Sequence, residues 1–222
     1  MKSFFALVIL LVGLTAAFGQ NEQAPIVEKE INYKNWTFKN VRTGEDLTLR
    51  DAAAGKKLVI VVYFAAWCGN WKHDAPMLNR LYDKYKANGL EFVGVSEYDS
   101  VFNTKTGLDT LKVAFPVASE SEMRADKQST QHYKNRTLTG DFRNWGSPWY
   151  IFLEPAAFEK KGDVLIKKTS VINGEMIEAE GEKFIREKLG LPAVETKSAV
   201  ADKGKVEVCD PDKPSTSPLK KP

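Results

Sequence analysis

Hydrophobic and polar positions along the chain fall into two rhythms. Leu58 to Ala65 (LVIVVYFA) is an unbroken apolar, β-branched run, the pattern of a strand covered on both faces. Directly after it, Leu78, Leu81, Tyr82 and Tyr85 recur at three- and four-residue spacing, which predicts a helix closed by Asn88-Gly89. The order then repeats. Leu90 to Val95 is a second buried strand, Asp109 to Val113 belongs to a helix, and Phe115-Pro116-Val117 opens a short strand. Glu122 to Tyr133 reads as a polar helix and Trp149 to Leu153 as a strand behind Pro148. Val164 to Ile172 is its antiparallel neighbour, with Lys161-Gly162-Asp163 in the turn. Glu180 to Leu189 is a last amphipathic helix, ended by Gly190 and Pro192. Ahead of all this, residues 20 to about 30 form a polar lead-in. Trp36-Thr37-Phe38 and Asp46-Leu47-Thr48-Leu49 alternate around Arg42-Thr43-Gly44 as an N-terminal β-hairpin. The sum is an α/β domain with a central mixed β-sheet flanked by helices.

The two ends of the chain follow neither rhythm. Lys2, the apolar run Phe4 to Leu14 and the small residues around Ala16-Ala17 have the make-up of a signal peptide over residues 1–19. The run is too short for a comfortable bilayer crossing, so no stable membrane span is expected. The protein is therefore expected to be exported by that signal peptide and to be periplasmic or secreted. Residues 20–192 carry the domain. Residues 193–222 are rich in Lys, Ser and Pro and bury too little to offset their ordering entropy, so a disordered tail is expected. With 32 Lys+Arg against 29 Asp+Glu the formal charge is only +3, and the basic residues Lys213, Lys220 and Lys221 sit among the prolines of that tail. A nucleic-acid partner, which wants a basic stripe on a folded face, is set aside.

Two cysteines cannot make a disulfide framework for a domain of this size, so their value is chemical. Cys68 lies in Ala66-Trp67-Cys68-Gly69-Asn70-Trp71-Lys72-His73-Asp74-Ala75-Pro76, where a buried strand hands over to a helix. This segment resembles the thioredoxin-like proteins, in particular the exported TlpA/ResA-type group related to AhpC/TSA. The family's Trp-Cys-x-x-Cys stands here as Trp67-Cys68-Gly69-Asn70-Trp71, with Trp71 in place of the second cysteine. Pro76 matches the family's helix proline, Asp74 a carboxylate common in the ResA-type group, and Phe115-Pro116-Val117 its Phe-Pro-Val. Ser147-Pro148 stands where the family keeps a cis-proline, and Glu159 to Asp163 match its charged hairpin turn. The resemblance runs from about Trp36 to Leu191. It implies a thioredoxin-like fold, thiol–disulfide chemistry on exported thiol- or disulfide-containing proteins or small thiols, and an open substrate edge beside Pro148.

A thiol at a helix N-terminus is favoured as thiolate by unpaired backbone N–H groups and the positive dipole end, and the thiolate is the attacking species in disulfide exchange. Cys68 is accordingly the expected nucleophile and Asp74 the group expected to help proton movement. Trp71 cannot resolve a mixed disulfide. That task falls to an external thiol or to Cys209, a tail cysteine that a long flexible loop can bring within reach at little extra cost. Val62 replaces the buried acid that thioredoxin itself carries. Trp67, Trp71, Ser147, Pro148 and Trp149, with Trp145, are expected around a peptide groove. A non-catalytic thioredoxin-fold module that binds peptides or a partner there is the alternative. A peroxiredoxin-like peroxidase fits less well. The family's Pro-x-x-x-Thr-x-x-Cys requires Thr and Pro where Ala65 and Val61 stand, and its Arg position holds Ser147-Pro148. No cofactor is implied, and two histidines beside two cysteines offer no metal-ligand spacing. The expected state is a monomer, open to an intermolecular disulfide through Cys209.

Overall fold

A computed structural model describes residues 22–193 and 209–212. The signal peptide expected at 1–19 and most of the tail expected to be disordered lie outside these residues. In chain order come β1 (Gln23–Ala24), β2 (Val27–Lys34), β3 (Thr37–Asn40), β4 (Asp46–Thr48), the short α1 (Leu49–Ala52), β5 (Leu58–Phe64), α2 (Gly69–Tyr85) and β6 (Leu90–Ser96). Then follow α3 (Val101–Thr110), β7 (Val117–Ser119), α4 (Gln131–Leu138), β8 (Trp149–Leu153), β9 (Val164–Ile172), β10 (Glu175–Met176) and α5 (Glu178–Leu189). The main sheet has eight strands in the order β2-β9-β8-β5-β6-β7-β3-β4. β5, β6 and β7 run parallel, whereas β8 pairs antiparallel to β5 and β9 antiparallel to β8.

β5 sits in the middle of the sheet, and every one of its residues is buried. Its period-two geometry divides the core in two. Leu58, Ile60, Val62 and Phe64 share one apolar cluster with Leu78, Leu81 and Tyr85 of α2 and with Ile185 and Leu189 of α5. Val59, Val61 and Tyr63 face the other cluster, with Tyr33, Trp36, Leu49, Trp149 and Ile151. Full burial on both faces is why the run is apolar without alternation. The strand therefore delivers its C-terminal end, and the residues after it, to a fixed place between β6 and β8.

Several boundaries differ from those the sequence predicts, each for a physical reason. The described part of the lead-in expected over residues 20–30 is largely strand: β2 pairs along β9. Val27, Ile31 and Tyr33 do alternate with more exposed polar and charged residues, but Lys29 falls on the same face as the apolar set and masks the rhythm. The helix placed at Asp109 to Val113 is α3, ending at Thr110, with Lys112 in left-handed backbone at φ +53°. Only Thr104 and Leu108 of α3 are buried, so its apolar stripe is almost absent. The polar helix expected over Glu122 to Tyr133 divides into a 3-10 turn at Arg124–Ser129 and α4. Extended Thr130 separates the two, and its hydroxyl caps α4 by accepting from Tyr133 N at 3.0 Å. The β3–β4 hairpin pairs as the alternation implies and joins the sheet edge at β7. Gly190 closes α5 in left-handed backbone at φ +71°.

Candidate functional site

The chain leaves β5 at Phe64 and turns into α2 within four residues. Cys68 N donates to Ala65 O at 2.9 Å, and Cys68 itself is the N-cap of α2 in extended backbone, its carbonyl accepting from Lys72 N at 3.2 Å. The sulfur thus stands at the N-terminus of a 17-residue helix and is fully buried. Cys68 and Cys209 are joined in a disulfide with their Cα atoms 4.7 Å apart, across 141 residues of sequence. Two cysteines from unlike surroundings, one in the core motif and one in the tail, meet at the helix end.

The Ser147–Pro148 peptide is cis. Ser147 Oγ accepts from Ala65 N at 2.9 Å, fastening this loop to the end of β5. The Ser147 carbonyl oxygen lies 3.2 Å from Cys68 Sγ and 3.3 Å from Cys209 Sγ. An arginine supports the loop from the other side. Arg143 Nη2 donates to Pro148 O at 2.7 Å, its Nε and Nη2 fork onto the Asp141 carboxylate at 3.0 and 2.7 Å, and its Nη1 meets Glu22 Oε2 at 2.7 Å. The same Glu22 oxygen accepts from Asn70 Nδ2 at 2.6 Å. Asn70, one of the two residues inside the broken motif, is therefore tied through Glu22 and Arg143 to the cis-proline loop.

The tryptophan set divides. Trp71 is buried and stacks on Phe64 with ring centroids 3.8 Å apart, and Trp149 is buried against Tyr63. Both are core. Trp67 is half-buried, its Nε1 donating to Tyr98 O at 3.3 Å and its ring meeting the edge of Trp145 at 5.3 Å. The Arg124 guanidinium lies over Trp67 at 5.5 Å, and Lys127 Nζ lies over Trp145 at 4.8 Å. Arg124 also reaches the tail: Nη1 meets Asp212 Oδ1 at 3.2 Å and Nη2 donates to Pro211 O at 3.1 Å.

Asp74 is buried on α2. Its Oδ2 accepts from the Tyr150 hydroxyl and from Met176 N at 3.1 Å, joining α2 to β8 and β10. Burial raises its affinity for a proton. His73 Nδ1 lies 3.6 Å from Asp74 Oδ1 and 3.4 Å from Glu175 Oε1. Hydrogen bonding to these two carboxylates, Asp74 first, lifts the His73 pKa to about 10. The three ligand atoms lie within 4.8 Å of one another and have the make-up of a cation site. At neutral pH the protonated imidazole is itself the cation between the carboxylates, so a metal must displace its proton.

A second polar group, behind the cis-proline loop, is not evident from motif reasoning. His132 is buried; Nε2 lies 3.0 Å from the Gly146 carbonyl and Nδ1 3.0 Å from the Tyr98 hydroxyl. The carbonyl can only accept, so Nε2 carries the proton and Nδ1 accepts from Tyr98. Burial, helped by Arg136, holds the ring neutral. Arg136 is buried too, donating to the carbonyls of Asp141, Arg143 and Asn144. Glu97, fully buried at the end of β6, has no hydrogen-bond donor on either oxygen among the described residues. Burial first, and the neighbouring Glu120 second, push its pKa far up, so Glu97 stays protonated. Glu120 accepts from Gln131 N and His132 N at the start of α4. One signal for this group is present in the chain: His132 and Arg136 lie four apart on one helical face.

Comparison with known proteins places this geometry. Residues 29–145, just over half of the chain, match the model of the AhpC/TSA family. The thiol-disulfide oxidoreductase ResA of Bacillus cereus is 26% identical over 122 residues, which is 53% of this chain and 69% of that protein. Protein disulfide-isomerase of Saccharomyces cerevisiae is 32% identical over 98 residues, 43% of this chain and 18% of the relative; for ResA of Bacillus anthracis the figures are 28% over 75 residues, 34% and 42%. The chain thus spans less than half the length of these last two relatives. Among solved structures, a thioredoxin-family thiol:disulfide interchange protein from Chlorobium tepidum superposes with a TM-score of 0.52 at 20% identity, covering 73% of this chain and 98% of that one. MTB dsbF superposes with a TM-score of 0.51 at 18% identity, covering 69% and 94%. These likenesses show that the fold is thioredoxin-like. By the match over residues 29–145, the chain belongs to the AhpC/TSA family.

Proposed function

We propose that this protein is a thiol–disulfide oxidoreductase in which Cys68 attacks and Cys209 resolves. The observation that carries the reading is the Cys68–Cys209 disulfide at the N-terminus of α2, under the Ser147 carbonyl. In the reduced protein the helix end favours the Cys68 thiolate. That thiolate attacks one sulfur of a substrate disulfide, forming a mixed disulfide and releasing the first substrate thiolate. Cys209, as thiolate, then attacks the Cys68 sulfur, releases the second substrate thiolate and closes the Cys68–Cys209 bond. One substrate disulfide is reduced to two thiols and one protein dithiol is oxidised. Asp74 serves proton movement near the thiol, supported by its burial and raised proton affinity. Pro148 keeps the adjoining backbone edge open to a peptide.

The ResA and protein disulfide-isomerase relatives support this class of chemistry. Exported proteins or small thiols are the substrates in this reading, and residues 1–19 supply the export signal. Among the described residues no helix is long and apolar enough to cross a membrane. The rival is a binding module without exchange; Trp71 at the usual resolving position and the full burial of Cys68 favour it. The test is to react reduced Cys209→Ser protein with an oxidised peptide and search for adducts by mass spectrometry. A mixed disulfide on Cys68 is expected, and no adduct at all leaves the binding module. Hydrogen peroxide alone, as a control oxidant, separates the peroxidase reading.

A further inference from the structure

The segment Cys209-Asp210-Pro211-Asp212 sits on the site as a peptide with a cysteine at its head. Its sulfur is bonded to Cys68 and lies against the Ser147 carbonyl. Two and three residues further on, one guanidinium holds both a backbone and a side-chain acceptor: Arg124 takes Pro211 O at 3.1 Å and Asp212 Oδ1 at 3.2 Å. Arg124 is itself seated over the Trp67 ring, which is fixed by Tyr98 O and by the edge of Trp145. Asp212 N donates to Asp210 Oδ1 at 3.0 Å, folding the segment back so that its carbonyl and carboxylate reach one cation. Lys127, over Trp145, places a second positive charge on that tryptophan pair.

We propose that Arg124, held on Trp67, is a specificity-determining residue that selects peptides carrying a carboxylate three residues C-terminal to the exchanging cysteine. This rests on the exchange reading above and names its substrate class: cysteine-bearing acidic segments, of which residues 209–212 are the chain's own copy. A guanidinium suits the task because it binds a carbonyl and a carboxylate at once while stacked on an indole, which an ammonium does less well. The tail and the substrate compete for one place. Cys209 thus resolves the mixed disulfide as the tail's Asp212 takes Arg124 back from the departing acid. The Arg124 side chain is 43% exposed and that of Asp212 86%, so the selection is modest and salt-sensitive.

The experiment uses full-length Cys209→Ser protein, reduced, with disulfide-linked dimers of two peptides, one containing Cys-Asp-Pro-Asp and the other Cys-Asp-Pro-Asn. The readout is the second-order rate of Cys68 adduct formation. The acidic peptide is expected to react roughly three- to tenfold faster at low salt. That ratio should fall to about one in Arg124→Ala, and in Arg124→Glu it should invert. Equal rates for the two peptides at low salt, with adducts still forming, overturn the clamp and leave the exchange reading intact. No adduct with either peptide overturns the exchange reading. The clamp is then decided by anisotropy of a fluorescent Ser-Asp-Pro-Asp peptide against its Ser-Asp-Pro-Asn counterpart, and equal binding of the two overturns it.

Discussion

Cys68 and Cys209 differ in how far their surroundings give them away. The position of Cys68 follows from neighbours in sequence: an all-buried strand ends, a helix begins, and the sulfur falls at the junction. Cys209 has no such neighbours, and its place at the sulfur depends on contacts across 141 residues. Glu97 is a harder case. A glutamate after an apolar run is ordinarily a strand end reaching solvent, and nothing local signals that α4 and Glu120 close over it. Its burial has a pH consequence. The ordinary carboxyl pKa is 4.5, and in the folded protein that of Glu97 lies far above it. Above pH 4.5 the unfolded chain has released this proton and the folded chain has kept it, so the native state binds more protons and stability falls as pH rises. Glu97→Gln removes that dependence while keeping the size and shape of the side chain. Denaturant titrations should find the two proteins about equal near pH 4 and the variant increasingly more stable toward pH 8. A constant gap across that range would show that Glu97 does not hold its proton.

At the scale of elements, legibility follows burial. β5, β6 and β8 are legible because they are apolar for most of their length, β9 because the Lys161-Gly162-Asp163 turn marks its start, and α5 because its stripe and its closing glycine agree. α3 and α4 are harder to place because two buried positions each leave no stripe to count. Trp71 shows the same limit in the site. Its place in the broken motif suggests a groove wall, but α2 turns that position toward Phe64 and the core. The cis-proline loop depends on one glycine that motif matching passes over. Gly146 has φ +57°, and a Cβ there would lie 2.4 Å from Arg136 Cδ, 2.5 Å from Nε and 2.7 Å from Cζ. Arg136 is buried and committed to three carbonyls, so it cannot move aside freely. Gly146→Ala is expected to cost about 2–4 kcal/mol in denaturant unfolding and to slow Cys68 adduct formation, because Ser147 follows directly. Unchanged stability would mean that the loop is looser than its contacts suggest.

The whole molecule is a mixed sheet whose central strand carries a cysteine to one edge of the core, with a distant tail segment returned to that cysteine. The mixed sheet is legible in the order of strands and helices, and the site's first half is legible in Trp67-Cys68-Gly69-Asn70-Trp71. The second half is not, because it is assembled by Arg124, Arg143 and Glu22, charged residues that look like ordinary surface until the fold brings them together. The motif lacks its second cysteine, and in the proposed mechanism Cys209 takes over its task. That claim can be measured in a single turnover. Reduced full-length protein is mixed with one equivalent of a disulfide peptide, quenched with an alkylating agent at intervals and mapped by mass spectrometry. A Cys68–peptide adduct is expected to form and then decay as a Cys68–Cys209 crosslink and two peptide thiols appear together. In Cys209→Ser the adduct should persist. Release of the peptide thiols at the same rate in Cys209→Ser, with no crosslink in the wild type, would contradict it.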